Sequence, residues 1–208
     1  MERVLAEPGP CQGRHVTITE SWAWIDRWLS QHAPTTYAVL APPATDAELS
    51  AAQQVVEFPP ELIESLRCHN GLTTWANLLP EAQPSSCAEI AANWQLRMDL
   101  AEEYDSFAAG YWHPTWIPWA DSDGDLQVID LHRARLGMAY HDGTGDFTNA
   151  YPSLASYLES VVESLHTGTG INNWYPYLTP HHELWWDQGP DRQFVNNEPL
   201  VRVPTSAQ

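Results

Sequence analysis

Asp121, Asp123 and Asp125 stand at alternate positions around Gly124, the spacing with which an EF-hand loop begins to surround Ca²⁺ with hard oxygen ligands. The rest of such a loop is missing, because position 6 is Leu126 where glycine is required and position 12 is His132 where a bidentate Glu is required. The triplet therefore predicts a polar hairpin turn built from residues that tolerate tight backbone conformations. His181-His182-Glu183 raises zinc, but adjacent side chains point in different directions, and neither HExxH nor paired Cys/His spacing occurs. No metal and no cofactor is expected. Cys68 beside His69 would suit a nucleophile and base, yet chain neighbours at a helix end do not face one another, and GxSxG and phosphate-loop patterns are absent. Glu102-Glu103 or the Asp run could do glycosidic acid–base work in a cleft with Trp platforms. That carbohydrate-active reading is the enzyme alternative; the expectation is that the chain is not an enzyme.

Charge is the sharpest compositional signal. The 208 residues carry 27 Asp and Glu against nine basic residues, all Arg, for a net charge of −18. Direct nucleic-acid binding is disfavoured, since phosphate contacts need a basic surface that releases counterions. A basic protein partner fits instead. No apolar run approaches the ~18 residues a spanning helix needs, and the N-terminal stretch lacks a signal-peptide core. These features predict a soluble cytoplasmic protein. Three cysteines without metal spacing read as reduced thiols.

The elements that must position these residues follow from periodicity. Residues 1–19 lack a pattern and predict a loosely held arm. Trp22, Ile25, Trp28 and Leu29 make one apolar stripe of a helix capped by Thr19 or Ser21 and ended by Pro34. Thr45 with Glu48 forms a capping box for a second helix. Pro59-Pro60 opens a third, stopped by Asn70-Gly71. Residues 72–80 read as a short strand or extended segment ending at Pro80. Ser86 caps a fourth helix in which Trp94 lies on the core side. A hairpin turns at Ser122–Asp125, with Leu126, Val128 and Ile129 in its second strand. Another strand spans Gly137–His141, and Ser153 starts a last amphipathic helix ending near Leu165. Residues 166–208 lack periodicity but carry Trp174, Tyr175, Tyr177, Trp185, Trp186 and Phe194, too apolar for a disordered tail. They are expected to pack back on the domain.

The order of these pieces resembles the SUKH superfamily, which includes Smi/Knr-type cell-wall assembly regulators and bacterial immunity proteins. The resemblance is carried by Trp28-Leu29, Pro43-Ala44-Thr45, Phe58-Pro59-Pro60-Glu61-Leu62, His69-Asn70-Gly71, Leu78-Leu79-Pro80, Trp116-Ile117-Pro118-Trp119-Ala120, Gly124-Asp125 and Ile129-Asp130-Leu131. It covers about residues 20–165; the C-terminal extension is not part of it. It implies a single α+β domain, a twisted and largely antiparallel sheet flanked by helices. It also implies a bacterial role in neutralising polymorphic toxins, many of them nucleases. A regulator or scaffold of the cell-wall assembly type is the alternative. The expected contact with a basic toxin domain falls on Glu102, Glu103, Asp105, Asp121, Asp123 and Asp125, dense carboxylates expected to have no nearby basic residue, together with Trp116. Most of the Trp112, Trp116, Trp119 group is expected in the core, and an exposed member would serve as an anchor.

Overall fold

The computed structural model describes residues 16–104, 110–142, 144–148 and 150–204. Helix α1 spans Ile18–His32, and its cap is Thr17, which exchanges hydrogen bonds with Glu20 in a capping box. The expected caps Thr19 and Ser21 lie inside the helix, and Ser21 is buried. Pro34 ends α1 and at once opens a single-turn helix, α2 (Pro34–Tyr37), because proline suits a first helical turn. Helix α3 (Asp46–Gln53) carries the Thr45–Glu48 capping box, as its sequence requires. Helix α4 (Pro60–Leu66) opens at its prolines but ends four residues before Asn70; the chain reverses at Gly71, whose φ is +74°.

Of the short strand or extended segment expected over residues 72–80, no regular strand forms. Only Leu72 makes an isolated bridge, to Leu40, and the first strand is β1 (Gln83–Pro84). What occupies this stretch is docking chemistry. The Asn77 side chain accepts from the Trp186 backbone N–H and donates to its carbonyl, and the Trp186 indole donates to the Leu78 carbonyl. Helix α5 (Cys87–Glu103) begins with the Ser86–Glu89 box. Strands β2 (Trp116–Ser122), β3 (Asp125–Asp130), β4 (Arg135–Ala139) and β5 (Gly145–Asp146) complete an antiparallel five-stranded meander in chain order. A bulge between Pro118 and Ala120 interrupts the β2–β3 register. Helix α6 (Leu154–Thr167), capped by Ser153, ends at the left-handed Gly168. The chain is thus an α+β protein with a mostly antiparallel sheet.

Two apolar cores divide the sheet faces. The main one gathers Trp22, Ile25 and Leu29 of α1, Ile90 of α5, Ile117 and Trp119 of β2, Ile129, Leu136, and Leu154, Tyr157, Leu158, Val161 and Leu165 of α6. The smaller holds Ala101, Trp112, Trp116, Leu126, Val128 and Ala139. Trp94, expected as core, is half-buried and packs against both; its indole donates to the Pro114 carbonyl.

Residues after α6 form strands that their sequence hides. β6 (Trp174–Leu178), β7 (Leu184–Gln188) and β10 (Val201–Arg202) make one sheet, and β8 (Phe194–Val195) with β9 (Glu198–Pro199) a hairpin. Leu184, Trp186 and Val203 belong to the main core, and the Leu184 N–H donates to the buried Thr36 hydroxyl. Each large ring of this kind buries about 150–250 Å², so the segment is a structural part of the fold.

Candidate functional site

The β2–β3 hairpin places the acidic triplet at one end of the sheet. Its two-residue loop is Asp123-Gly124, both with positive φ (54° and 97°), the backbone a type I′ turn demands and Asp-Gly supplies. Asp121 is committed inward, accepting the Gly124 N–H at 3.0 Å and the Asn93 amide at 3.2 Å. Asp125 accepts both the N–H and the ring Nδ1 of His141 at 2.8 Å. Burial pushes its carboxyl pKa up, but these hydrogen bonds and the charges of His141 and Arg97 outweigh it and hold the group below the usual range. Asp123 alone stands exposed at the tip.

Arg97 corrects the expectation that no basic group lies near. This side chain of α5 is buried, at 7% exposure, donates to the Tyr111 hydroxyl at 2.5 Å, and donates to the Gly124 carbonyl. It pins α5 to the hairpin turn. One turn further on, Glu102 and Glu103 are exposed at the end of α5, and that last turn carries no basic residue. Carboxylates at a helix C-terminus face the negative end of the macrodipole, so their placement works against helix stability and adds to the negative field. Leu96 in the middle of α5 and Tyr104 at its C-cap are 54% and 69% exposed. Asp105 lies outside the described residues.

Trp116 is not an anchor. It is 5% exposed, stacks edge-on to Trp112 at 5.7 Å between ring centres and tilts against Phe147 at 5.3 Å, because strand alternation turns it toward the smaller core. Trp112 and Trp119 are buried too. The exposed tryptophan is Trp75, at 68%, packed edge-on against Trp185 at 6.0 Å. It sits in the irregular 72–80 stretch, where no alternation signals which side chains face solvent.

A second feature is a cleft of about 450 Å³ between the hairpin end of the five-stranded sheet and residues beyond α6. Glu81, Asp125, Asp146, Tyr140, Tyr151, Gln127 and Trp174 line it. Glu81 holds a left-handed backbone, φ 71°, a conformation that costs a non-glycine residue roughly 1–2 kcal/mol. Burial raises its carboxyl pKa, against a hydrogen bond from Trp174. Burial raises Tyr151 to about 12, with the charge of Glu81 adding to it.

The nucleophile and metal alternatives find no support in the geometry. The Cys68 thiol donates to the Glu64 carbonyl at 3.4 Å, while the His69 ring turns away to the Ala41 carbonyl and Asp26, each at 3.0 Å. Burial pushes the Cys68 thiol up, and Cys87 to about 11. His181 pairs with Glu198 at 3.0 Å while Glu183 turns to Thr179. Among the described residues no group of three or more His, Cys, Asp or Glu could hold a metal ion, and no helix is long and apolar enough to cross a membrane.

An antiparallel meander packed by helices, with carboxylates at its hairpin end, defines an α+β domain. Residues 43–160, more than half the chain, match the SMI1 / KNR4 family (SUKH-1), and the chain belongs to that family. A search of curated proteins finds no match. Members of the family are generally immunity or regulatory proteins without enzymatic activity, and the family points to protein–protein interaction. The matched range excludes α1 and everything after α6, although both contribute to the main core.

Proposed function

We propose that this chain is an immunity protein that binds and neutralises a basic toxin domain of the nuclease class in the cytoplasm, through the acidic end of its five-stranded sheet. What supports the reading is that the exposed carboxylates Asp123, Glu102 and Glu103 stand on the hairpin tip and on α5, with Leu96 and Tyr104 exposed on or just after the same helix, and that Arg97 of α5 reaches the hairpin turn. A nuclease surface that holds phosphates is basic, and an acidic inhibitor associates with it under electrostatic steering. Leu96 and Tyr104 each add exposed apolar area to such a contact. The net charge of −18 extends the attraction beyond the patch.

The test is co-purification with the protein encoded beside its gene, followed by stopped-flow association. Raising salt from about 50 to 500 mM should slow association markedly, as the Debye length falls below roughly 5 Å. Asp123→Asn with Glu102→Gln and Glu103→Gln should reproduce part of that loss in the folded protein. An association rate that ignores both salt and the triple variant refutes the reading.

A further inference from the structure

His69 touches two groups that can only accept a hydrogen bond. Its Nδ1 lies 3.0 Å from the Ala41 carbonyl and its Nε2 lies 3.0 Å from a carboxylate oxygen of Asp26. A neutral imidazole has one N–H and one lone pair, so it satisfies one of these contacts and turns a lone pair on the other. The imidazolium, with an N–H on each nitrogen, satisfies both. The side chains of His69 and Asp26 are 14% and 29% exposed, and the Trp22 ring lies 5.2 Å from the imidazole at 72°.

Other charged groups on the surrounding elements are turned elsewhere. On α1, Glu20 closes the capping box with Thr17, and Arg27 lines the outer clefts beside Trp24. On α4, Glu64 accepts from the Thr19 N–H and hydroxyl, and Arg67 pairs with Asp46 at the start of α3. Glu48 accepts from Thr45 and Asn70, and Glu89 of α5 accepts from Ser86. Residues 38–44 carry no charge, and burial pushes the pKa of the neighbouring Cys68 thiol up. Asp26 is thus the charge that governs the ring. Burial opposes the imidazolium, but the Asp26 hydrogen bond, the Ala41 carbonyl and the Asp26 charge outweigh it.

The two acceptors differ in freedom. The Ala41 carbonyl belongs to backbone fixed by its neighbours: the Ala41 N–H donates to Gly71, the Asn70 N–H to Pro42 and the Thr73 N–H to Val39. Asp26 is a side chain near the helix surface, and a rotamer change carries it into water. A lone pair facing Asp26 is therefore relieved by movement of the carboxylate, whereas one facing Ala41 is not.

We propose that His69 is a pH-operated latch on α1: as an imidazolium it bridges the Ala41 carbonyl and Asp26, and as the neutral Nδ1–H tautomer it keeps Ala41 and releases Asp26. The latch is closed while the ring is charged and opens as pH rises through the ring's midpoint. Asp26 and Ala41 precede the family-matched segment and His69 lies within it, so the latch fastens the N-terminal helix to the family domain. Release stays local, because the Trp22 indole still donates to the Ser65 hydroxyl at 2.9 Å and Glu64 still holds Thr19. The device needs no partner and stands apart from the acidic-end reading.

The experiment follows the His69 ring of the full ¹⁵N-labelled chain by long-range ¹H–¹⁵N correlation from about pH 5 to about pH 9. Both ring nitrogens should carry protons at the acid end, and the midpoint should lie above about 6.5. Past it only Nδ1 should stay protonated, whereas a solvent-exposed imidazole favours the proton on Nε2. Asp26→Asn keeps the size and one acceptor, removes the charge, and should lower the midpoint by about one pH unit or more. Amide exchange in the second half of α1, referenced to the intrinsic rate at each pH, should quicken about tenfold across the midpoint, the loss of one charge-assisted bond, while that of β3 does not. A midpoint at or below about 6.5, a neutral ring protonated on Nε2, or a midpoint indifferent to Asp26→Asn overturns the latch. Unchanged exchange in α1 overturns it too, since the pair would then titrate without releasing anything.

Discussion

Replacing Arg97 by Met should loosen the acidic hairpin without emptying the space the side chain fills. The stem carries the packing and the guanidinium carries two hydrogen bonds, to the Tyr111 hydroxyl and the Gly124 carbonyl. Hydrogen bonds from a charged group are worth about 1.5–3 kcal/mol each. Two effects reduce the sum: Gly124 is only half-buried, so water can replace the lost donor, and Met removes a charge that is costly to bury. A net loss of about 2–3 kcal/mol follows, which for a chain of this size lowers the thermal midpoint by roughly 4–12 °C. Arg97→Lys keeps the charge as a point without the fork and should lose about half as much. Guanidinium unfolding followed by tryptophan emission measures the free energy, and amide exchange at Gly124, whose N–H donates to Asp121, reports whether the loss is local. A cost below about 0.5 kcal/mol, the range of an ordinary surface substitution, would show that the turn holds itself and that Arg97 is not its anchor.

Two further outcomes follow from the cores and from one ion pair. Trp28→Ala, at a buried position, should cost about 3–5 kcal/mol, whereas half-buried Trp94→Ala should cost roughly half of that; equal losses in chemical denaturation would contradict the two-core arrangement. Burial disfavours the charged form of His69, but its hydrogen bond to Asp26, its bond to the Ala41 carbonyl and the Asp26 charge prevail and raise its pKa. A raised folded pKa gives stability that is complete below the unfolded value, about 6.5, and is lost as pH rises through the folded value. Unfolding free energy should therefore fall with rising pH above that point, and His69→Gln should remove this slope; an unchanged slope would refute the assignment.

The parts of the fold readable in advance were those whose signal is local. Thr45 with Glu48, Ser86 with Glu89 and the Asp123-Gly124 turn each state their conformation within four residues, and each forms as stated. The same box at Thr17–Glu20 went unread because the residues ahead of it lack pattern. The extension was opaque for a different reason. Its turns at Asn172-Asn173 and Asn196-Asn197 take left-handed φ at both positions, the I′ geometry written with Asn-Asn rather than Asn-Gly, and it is the clue that was there to find. At the acidic end, the carboxylates were visible but their internal partners were not. Arg97 sits on a helix whose apolar face is weakly marked, and His141 reaches Asp125 only once β3 and β4 pair. Trp116 shows the limit of residue type, because an aromatic between two prolines is compatible with either face until the strand register decides.

The main core is closed by residues made late. Leu184, Trp186 and Val203 fill it beside α1, α4 and α6, yet they leave the ribosome after the whole family-matched segment. At about 5–20 residues per second, translation from residue 160 to Val203 takes roughly 2–9 s. During that interval the nascent chain exposes the apolar surface that Trp186 will cover and the unpaired amide of Asn77. Completion of the core therefore lags synthesis of the family segment by seconds, and a cell relying on fresh supply needs a standing pool of finished protein.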